Sequence, residues 1–200
     1  MSNSQLSKDP IKDDILTGAR TLFERFGFKK TTMEDIARQV GKSKSALYYY
    51  YKTKEEIFEA VVLEDIDKSR VEATAAMSNV ESATDKFAAL ISTILGSLRE
   101  KTDKFSIFRS DIYENPFLLE NIVRQRDSYL EDLFKDILIL GISRGEMRVM
   151  SNAEMDIWAK TTNLTFRSIG SKVFLDGNFT FLDHIPFLID ILLNGVSRQK

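Results

Sequence analysis

The chain has no cysteine, one histidine and three prolines among 200 residues. The missing cysteines exclude disulfides, thiolate metal sites and a cysteine nucleophile. A single histidine, His184, excludes a multi-histidine metal site and argues against a histidine-dependent triad. There is no Gly-rich phosphate loop, and carboxylate pairs such as Asp13-Asp14 fall on a charged helix face. An enzyme is therefore not expected, nor any cofactor or metal. No apolar run approaches the roughly 18 residues that span a bilayer, so no membrane partner is expected. The stretch Met1–Pro10 is polar and lacks the apolar core of a signal peptide, which points to a cytoplasmic protein.

What remains is a chain that is 43% apolar and 29% charged, ample for a packed core. Its apolar spacing is helical nearly throughout, with no pair of alternating strand segments, so the fold class is all-α with about nine helices. Asp9-Pro10 caps and opens a first helix whose stripe is Ile11, Ile15, Ala19, Leu22, Phe23 and Phe26; Gly27 stops it. Thr32 with Asp35 reads as a capping box for a short helix that Gly41 ends. Ser43 caps another over Lys44–Tyr50, and Thr53 with Glu56 opens a longer one. Its apolar residues Phe58, Val62 and Ile66 are expected to face the C-terminal region. Further helices are expected over 82–101, 104–113, from Asn115-Pro116 to about Gly145, from a Ser151/Glu154 box to about Leu175, and over 181–196. Pro186 is awkward in the last of these and favours a start nearer Asp183.

The net charge is −2, yet residues 27–54 hold Lys29, Lys30, Arg38, Lys42, Lys44, Lys52 and Lys54 against only Glu34 and Asp35. A local +5 inside an acidic chain is an electrostatic footprint for phosphate. The two short helices around Gly41 have the helix-turn-helix plan, whose second helix enters the major groove. Within that helix Lys44 and Ser45 can hydrogen-bond base edges or phosphates and Ala46 can touch a thymine methyl, while Leu47 anchors inward. Helix starts at Thr32, Ser43 and Thr53 offer free N–H groups to phosphates. Four tyrosines in a row, Tyr48 to Tyr51, cannot share one face at 100° per residue; Tyr48 and Tyr49 are taken as the DNA-facing pair.

Ile15-Leu16, Ala19, Leu22-Phe23, Gly27-Phe28, Thr31-Thr32, Asp35-Ile36-Ala37, Gly41, Ser43-Lys44, Leu47-Tyr48, Tyr50-Tyr51, Lys54-Glu55-Glu56 and Ile57-Phe58 together resemble the N-terminal signature of the tetracycline-repressor (TetR) family. The resemblance covers about residues 11–60. Lys42, Ser45 and Tyr51 stand where the family usually has a small apolar residue, glycine and phenylalanine; Lys42 adds charge beside the recognition helix. The resemblance implies a helix-turn-helix DNA-binding domain over 1–52 and an antiparallel helical effector-binding and dimerisation domain over 53–200. It implies a homodimeric transcriptional regulator, usually a repressor, on a palindromic double-stranded operator. By position it gives Thr32, Ser43, Tyr48 and Lys54 to phosphates, and Lys44, Ser45, Ala46 and Tyr49 to bases.

Ten of the fourteen phenylalanines lie beyond residue 80. An apolar pocket between helices is the usual small-molecule site, and Phe105, Phe108, Tyr113, Phe117, Trp158, Thr162 and Phe166 are its candidates. The effector expected there is a small apolar or amphipathic molecule that releases the operator. Arg109, Arg124, Arg126 and Arg167 are read as partners of acids such as Asp111 or Asp127, or as contacts for an acidic effector. The last two long helices carry the expected dimer interface: Ile169, Gly170, Val173, Ile185, Leu188, Ile189 and Leu192.

Overall fold

The computed structural model describes residues 9–98, 102, 111 and 116–195. Among them are eight α-helices and no strand: α1 Pro10–Phe26, α2 Met33–Gln39, α3 Lys44–Tyr50, α4 Lys54–Ser78, α5 Ala83–Gly96, α6 Glu120–Ser143, α7 Asn152–Asp176 and α8 Ile185–Asn194. Short 3-10 turns precede α6 (Pro116–Leu119) and α8 (Thr180–His184). Most of the helix expected over 104–113 lies outside the described residues.

Local chemistry sets the boundaries. The Asp9 carboxylate accepts from Ile11 N at 2.9 Å, and Pro10 starts α1 where a missing N–H costs nothing. Thr32 and Asp35 form a reciprocal capping box on α2, as Ser151 and Glu154 do on α7. Pro186 falls in the first turn of α8, so the helix begins at Ile185 rather than near 181.

The described residues form two compact units. The first holds the chain up to Asp65 together with Asp111 and residues 116–122; the second holds 66–98, Thr102 and 123–195. The helix from residue 54, assigned by sequence wholly to the C-terminal domain, thus begins in the head.

The core of the first unit is built from α1 (Ile15, Leu16, Ala19, Leu22, Phe23), α2 (Met33, Ile36, Ala37), α3 (Leu47) and the start of α4 (Ile57, Phe58, Val61), with Phe28 between. Phe58 is 1% exposed and meets the Phe23 and Phe28 rings at 5.7 and 5.2 Å. The expectation that Phe58 faces the C-terminal region is therefore corrected: it closes the head's own core, with Val62 packed beside it. Phe26, placed by sequence on the buried stripe, is 43% exposed under the Arg25 guanidinium. At the α1–α2 crossing a Cβ on Gly18 would lie 2.4 Å from Val40 Cγ1. Valine is stiff at χ1 and yields little. Gly18→Ala is expected to lower the melting temperature although alanine is the better helix former by about 1 kcal/mol; a raised melting temperature would show that Val40 gives way.

The second unit packs α5, α6, α7, α8 and the later part of α4 around Phe87, Leu90, Ile91, Phe134, Ile137, Ala159, Phe166, Ile185 and Ile189.

Candidate nucleic-acid interface

The turn between α2 and α3 is made at Gly41, whose φ of 64° is left-handed. Lys42 N donates to Ala37 O at 2.9 Å, and Ile36 and Leu47, both fully buried, lock the two helices together. Ser43 Oγ accepts from Ala46 N at 3.1 Å and fixes the start of α3. Leu47 is the one buried residue of α3. Lys42, Ser43, Lys44, Ser45, Tyr48 and Tyr49 are exposed, and Ala46 is half-buried. Tyr49 stands out most, at 77%. Tyr50 and Tyr51 pack against the core. Burial, and then the carboxylates of Glu64, Asp13 and Asp9, push the Tyr51 hydroxyl above the usual tyrosine range. The four-tyrosine run thus divides two outward and two inward.

The cations of the head are not equivalent. Lys44 is ion-paired to Glu34 across from α2. Lys52 Nζ donates to Tyr48 O at 2.9 Å, at the end of α3. Lys54 lies deeper: its ammonium donates to Phe28 O at 2.7 Å and Thr31 O at 2.8 Å, with the Phe28 ring centroid 4.1 Å away. Desolvation pulls it below the usual lysine range, against the attraction of Glu55 and Asp111. Lys54, assigned by resemblance to a phosphate, spends two of its three donors on the α1–α2 loop. Lys42 and Lys30 are exposed, as is Arg38, 3.6 Å from Asp35. Thr32 is exposed at the start of α2, its hydroxyl donating to Asp35 Oδ2 at 2.7 Å. The same hydrogen bond holds the Asp35 carboxyl below the usual range.

Sequence reasoning offered Asp111 as an arginine's partner and missed its bonds to the α1–α2 loop. Its carboxylate, 6% exposed, accepts from Phe28 N at 2.7 Å and Lys29 N at 3.3 Å. With Lys54 on the carbonyls and Thr31 Oγ1 donating to Gly27 O at 2.8 Å, the loop from α1 to the helix-turn-helix is clamped on both polarities. No local motif announces a bond across 83 residues.

In the second unit Trp158 and Phe166, two of the aromatic candidates, pack against Phe87. Phe87 meets Phe134, Trp158 and Phe166 at 5.6, 5.4 and 6.2 Å. Thr162 is 1% and Phe166 6% exposed. Phe117 belongs to the first unit and is 78% exposed. Phe105, Phe108 and Tyr113 lie outside the described residues, as does Arg109. Arg126 and Arg167 both pair with Asp127. His184 is exposed at the end of the turn before α8.

Of the expected dimer residues, Val173, Ile185 and Ile189 are 1%, 5% and 7% exposed within their own unit. Ile169, Leu188 and Leu192 pack against that same core, and Gly170 lies under Leu95 and Leu98. The solvent face of these helices is a different one. On α7 it carries Ile157, Thr161, Leu164, Ser168 and Ser171, and on α8 Phe187. Ile157, Leu164 and Phe187 are 66%, 49% and 61% exposed. Among the described residues no group of acids and histidine could hold a metal, and no helix is long and apolar enough to cross a membrane.

A locked pair of short helices, with one anchoring leucine and a polar, basic, tyrosine-bearing outer face, defines a helix-turn-helix DNA-binding regulator. Residues 15–61 match the model of the bacterial regulatory proteins of the tetR family, so the first unit carries the DNA-binding region of that family. It is 26% identical over 148 residues, 70% of each chain, to the uncharacterized HTH-type transcriptional regulator YfiR of Bacillus subtilis (strain 168). Its fold is similar to that of the transcriptional regulator FadR from Bacillus subtilis, solved with stearoyl-CoA: TM-score 0.71, 17% identity, covering 92% of this chain and 99% of that one. It is also similar to Thermus thermophilus FadR, a TetR-family transcriptional repressor solved with lauroyl-CoA: TM-score 0.67, 18% identity, covering 94% and 96%.

Proposed function

We propose that the chain is a ligand-responsive repressor that grips a palindromic operator as a homodimer and releases it when an amphipathic effector of the acyl-CoA class binds. The observation that carries the DNA-binding part is the outer face of α3, where Ser45, Tyr48 and Tyr49 are exposed around a fully buried Leu47. In this reading Lys44, Ser45, Ala46 and Tyr49 meet base edges, while Thr32, Lys42, Ser43 and Tyr48 meet phosphates. Lys54 positions the head instead of touching DNA.

The dimer is proposed through the exposed faces of α7 and α8, around Ile157, Leu164 and Phe187, in place of the stripe through Ile185 and Ile189. Large apolar side chains at helical spacing on two neighbouring helices suit a self-complementary C2 contact. The acyl-CoA class rests on the two FadR structures together with the apolar, aromatic second unit. The test is operator binding with and without lauroyl-CoA or stearoyl-CoA. Release at ligand concentrations that leave random-duplex binding intact supports the reading. Equal operator affinity with and without acyl-CoA removes that effector class, since a ligand shifts an equilibrium only by its differential affinity.

Lys42 supplies a simpler check. Lys42→Ala is expected to weaken operator and random duplex alike and to flatten the salt dependence by about 0.9 in log–log slope per phosphate lost. An unchanged slope, or a shift in base preference, would place Lys42 away from the backbone.

A further inference from the structure

The first unit carries seven basic residues between Gly27 and Lys54 and only two acids, Glu34 and Asp35. The two acids have different work. The Asp35 carboxylate is taken up by its own helix, accepting from Thr32 N at 3.0 Å and from Thr32 Oγ1 at 2.7 Å. Glu34, the neighbouring residue on α2, turns instead to α3 and holds the ammonium of Lys44, the first residue of that helix. Both side chains remain about half exposed, at 51% for Lys44 and 52% for Glu34, so the pair sits at the surface and not in the core. The Lys44 ammonium also lies 5.9 Å from the Tyr48 ring centroid. A carboxylate thus occupies, in the free protein, the partner position that a DNA phosphate or base acceptor would take.

We infer that Glu34 sets the head's affinity for DNA: an internal stand-in for phosphate that lowers binding to every duplex and leaves sequence contacts to decide where the protein stays bound. The inference rests on α3 being the recognition helix. Non-specific binding comes almost entirely from cations replacing the counterions of phosphates. Lys44 can join that exchange only by giving up Glu34, so the exchange of one anion for another yields little, and the uncovered carboxylate then faces the polyanion. In the operator complex the same loss is offset by contacts that arbitrary sequence does not offer, through Ser45, Ala46 and Tyr49 to base edges. Glu34 therefore taxes every duplex, and only the right sequence compensates.

The test compares wild type, Glu34→Gln and Asp14→Asn on operator and on random-sequence duplex over a range of salt. Asp14 is an exposed acid on α1 and controls for net charge. Glu34→Gln is expected to tighten random-duplex binding about two- to fivefold, the range an exposed ion pair spans. Its salt slope is expected to steepen by about 0.9 per head as Lys44 becomes available to a phosphate. Operator affinity rises by a similar factor, so the specificity ratio holds while occupancy of arbitrary sequence increases. Adding Lys44→Gln to Glu34→Gln returns the slope to its wild-type value. The inference is overturned if Glu34→Gln leaves random-duplex affinity and slope unchanged, if it weakens them, or if Asp14→Asn reproduces the effect. Wild-type protein that shows no salt-dependent duplex binding would remove the recognition-helix reading itself, a result distinct from any of these.

Discussion

Leu164→Glu is expected to turn the protein into monomers and to abolish tight operator binding while leaving the fold intact. Leu164 is 49% exposed on the outer face of α7, so the free chain hydrates the new carboxylate without strain. In a C2 contact the residue appears twice, once from each protomer. Two unpaired carboxylates would then be buried together, and an uncompensated buried charge costs about 3–5 kcal/mol. At about 1.4 kcal/mol per decade, dimer affinity falls by two orders of magnitude or more. One head alone retains half of the operator contacts. Sizing and operator titration check both effects. Ile189→Glu is the contrast: Ile189 is 7% exposed in the core of its own unit, so that change is expected to unfold the unit rather than separate two folded ones. A dimeric Leu164→Glu protein would move the interface to another face.

Asp111→Ala is expected to loosen the head without touching its DNA-facing surface. The carboxylate is the acceptor for the buried Phe28 N–H and for the Lys29 N–H. A buried donor left without a partner costs about 1–3 kcal/mol. Lys54 meanwhile loses a nearby counter-charge while its ammonium stays among carbonyls. A total near 3 kcal/mol lowers the melting temperature of a chain this size by about 6–12 °C. Amide exchange at Phe28 and Lys29 accelerates, and operator affinity falls with little change in salt slope because no phosphate contact is removed. Asp111→Asn keeps one carbonyl acceptor and recovers part of the loss. Unchanged exchange at Phe28 would show that the clamp is not closed in solution.

These two expectations mark where sequence reading succeeds and where it stops. Helix starts are local: Asp9, Thr32, Ser43 and Ser151 each bond an amide two or three residues on, so the residue type and spacing nearly dictate the structure. The outer face of α3 is legible for the same reason, since one inward residue, Leu47, fixes the rotation of the rest. Lys54 is not legible. A lysine at the start of a helix reads as a solvent cation, and its partners come from a loop 23 to 26 residues earlier. The stripe on the last helices is hard to assign for a different reason. Nearly every residue of α8 is apolar, so periodicity offers two faces and cannot say which one the chain's own core takes; Ile185 and Ile189 go inward and Phe187 outward. Counting aromatics likewise does not say which rings meet, and Phe87, Phe134, Trp158 and Phe166 touch one another.

The proposed dimer presents its two α3 helices to successive turns of one duplex. The most direct measurement is selection of bound duplexes from a random pool by the wild-type protein at moderate salt. Two recognition helices related by a two-fold axis read half-sites about 34–36 Å apart, or a little more, so the enriched sequences are expected to be palindromic with a fixed spacing near one helical turn. Enrichment of a single unpaired half-site, of half-sites at variable spacing, or of no sequence at all would contradict it.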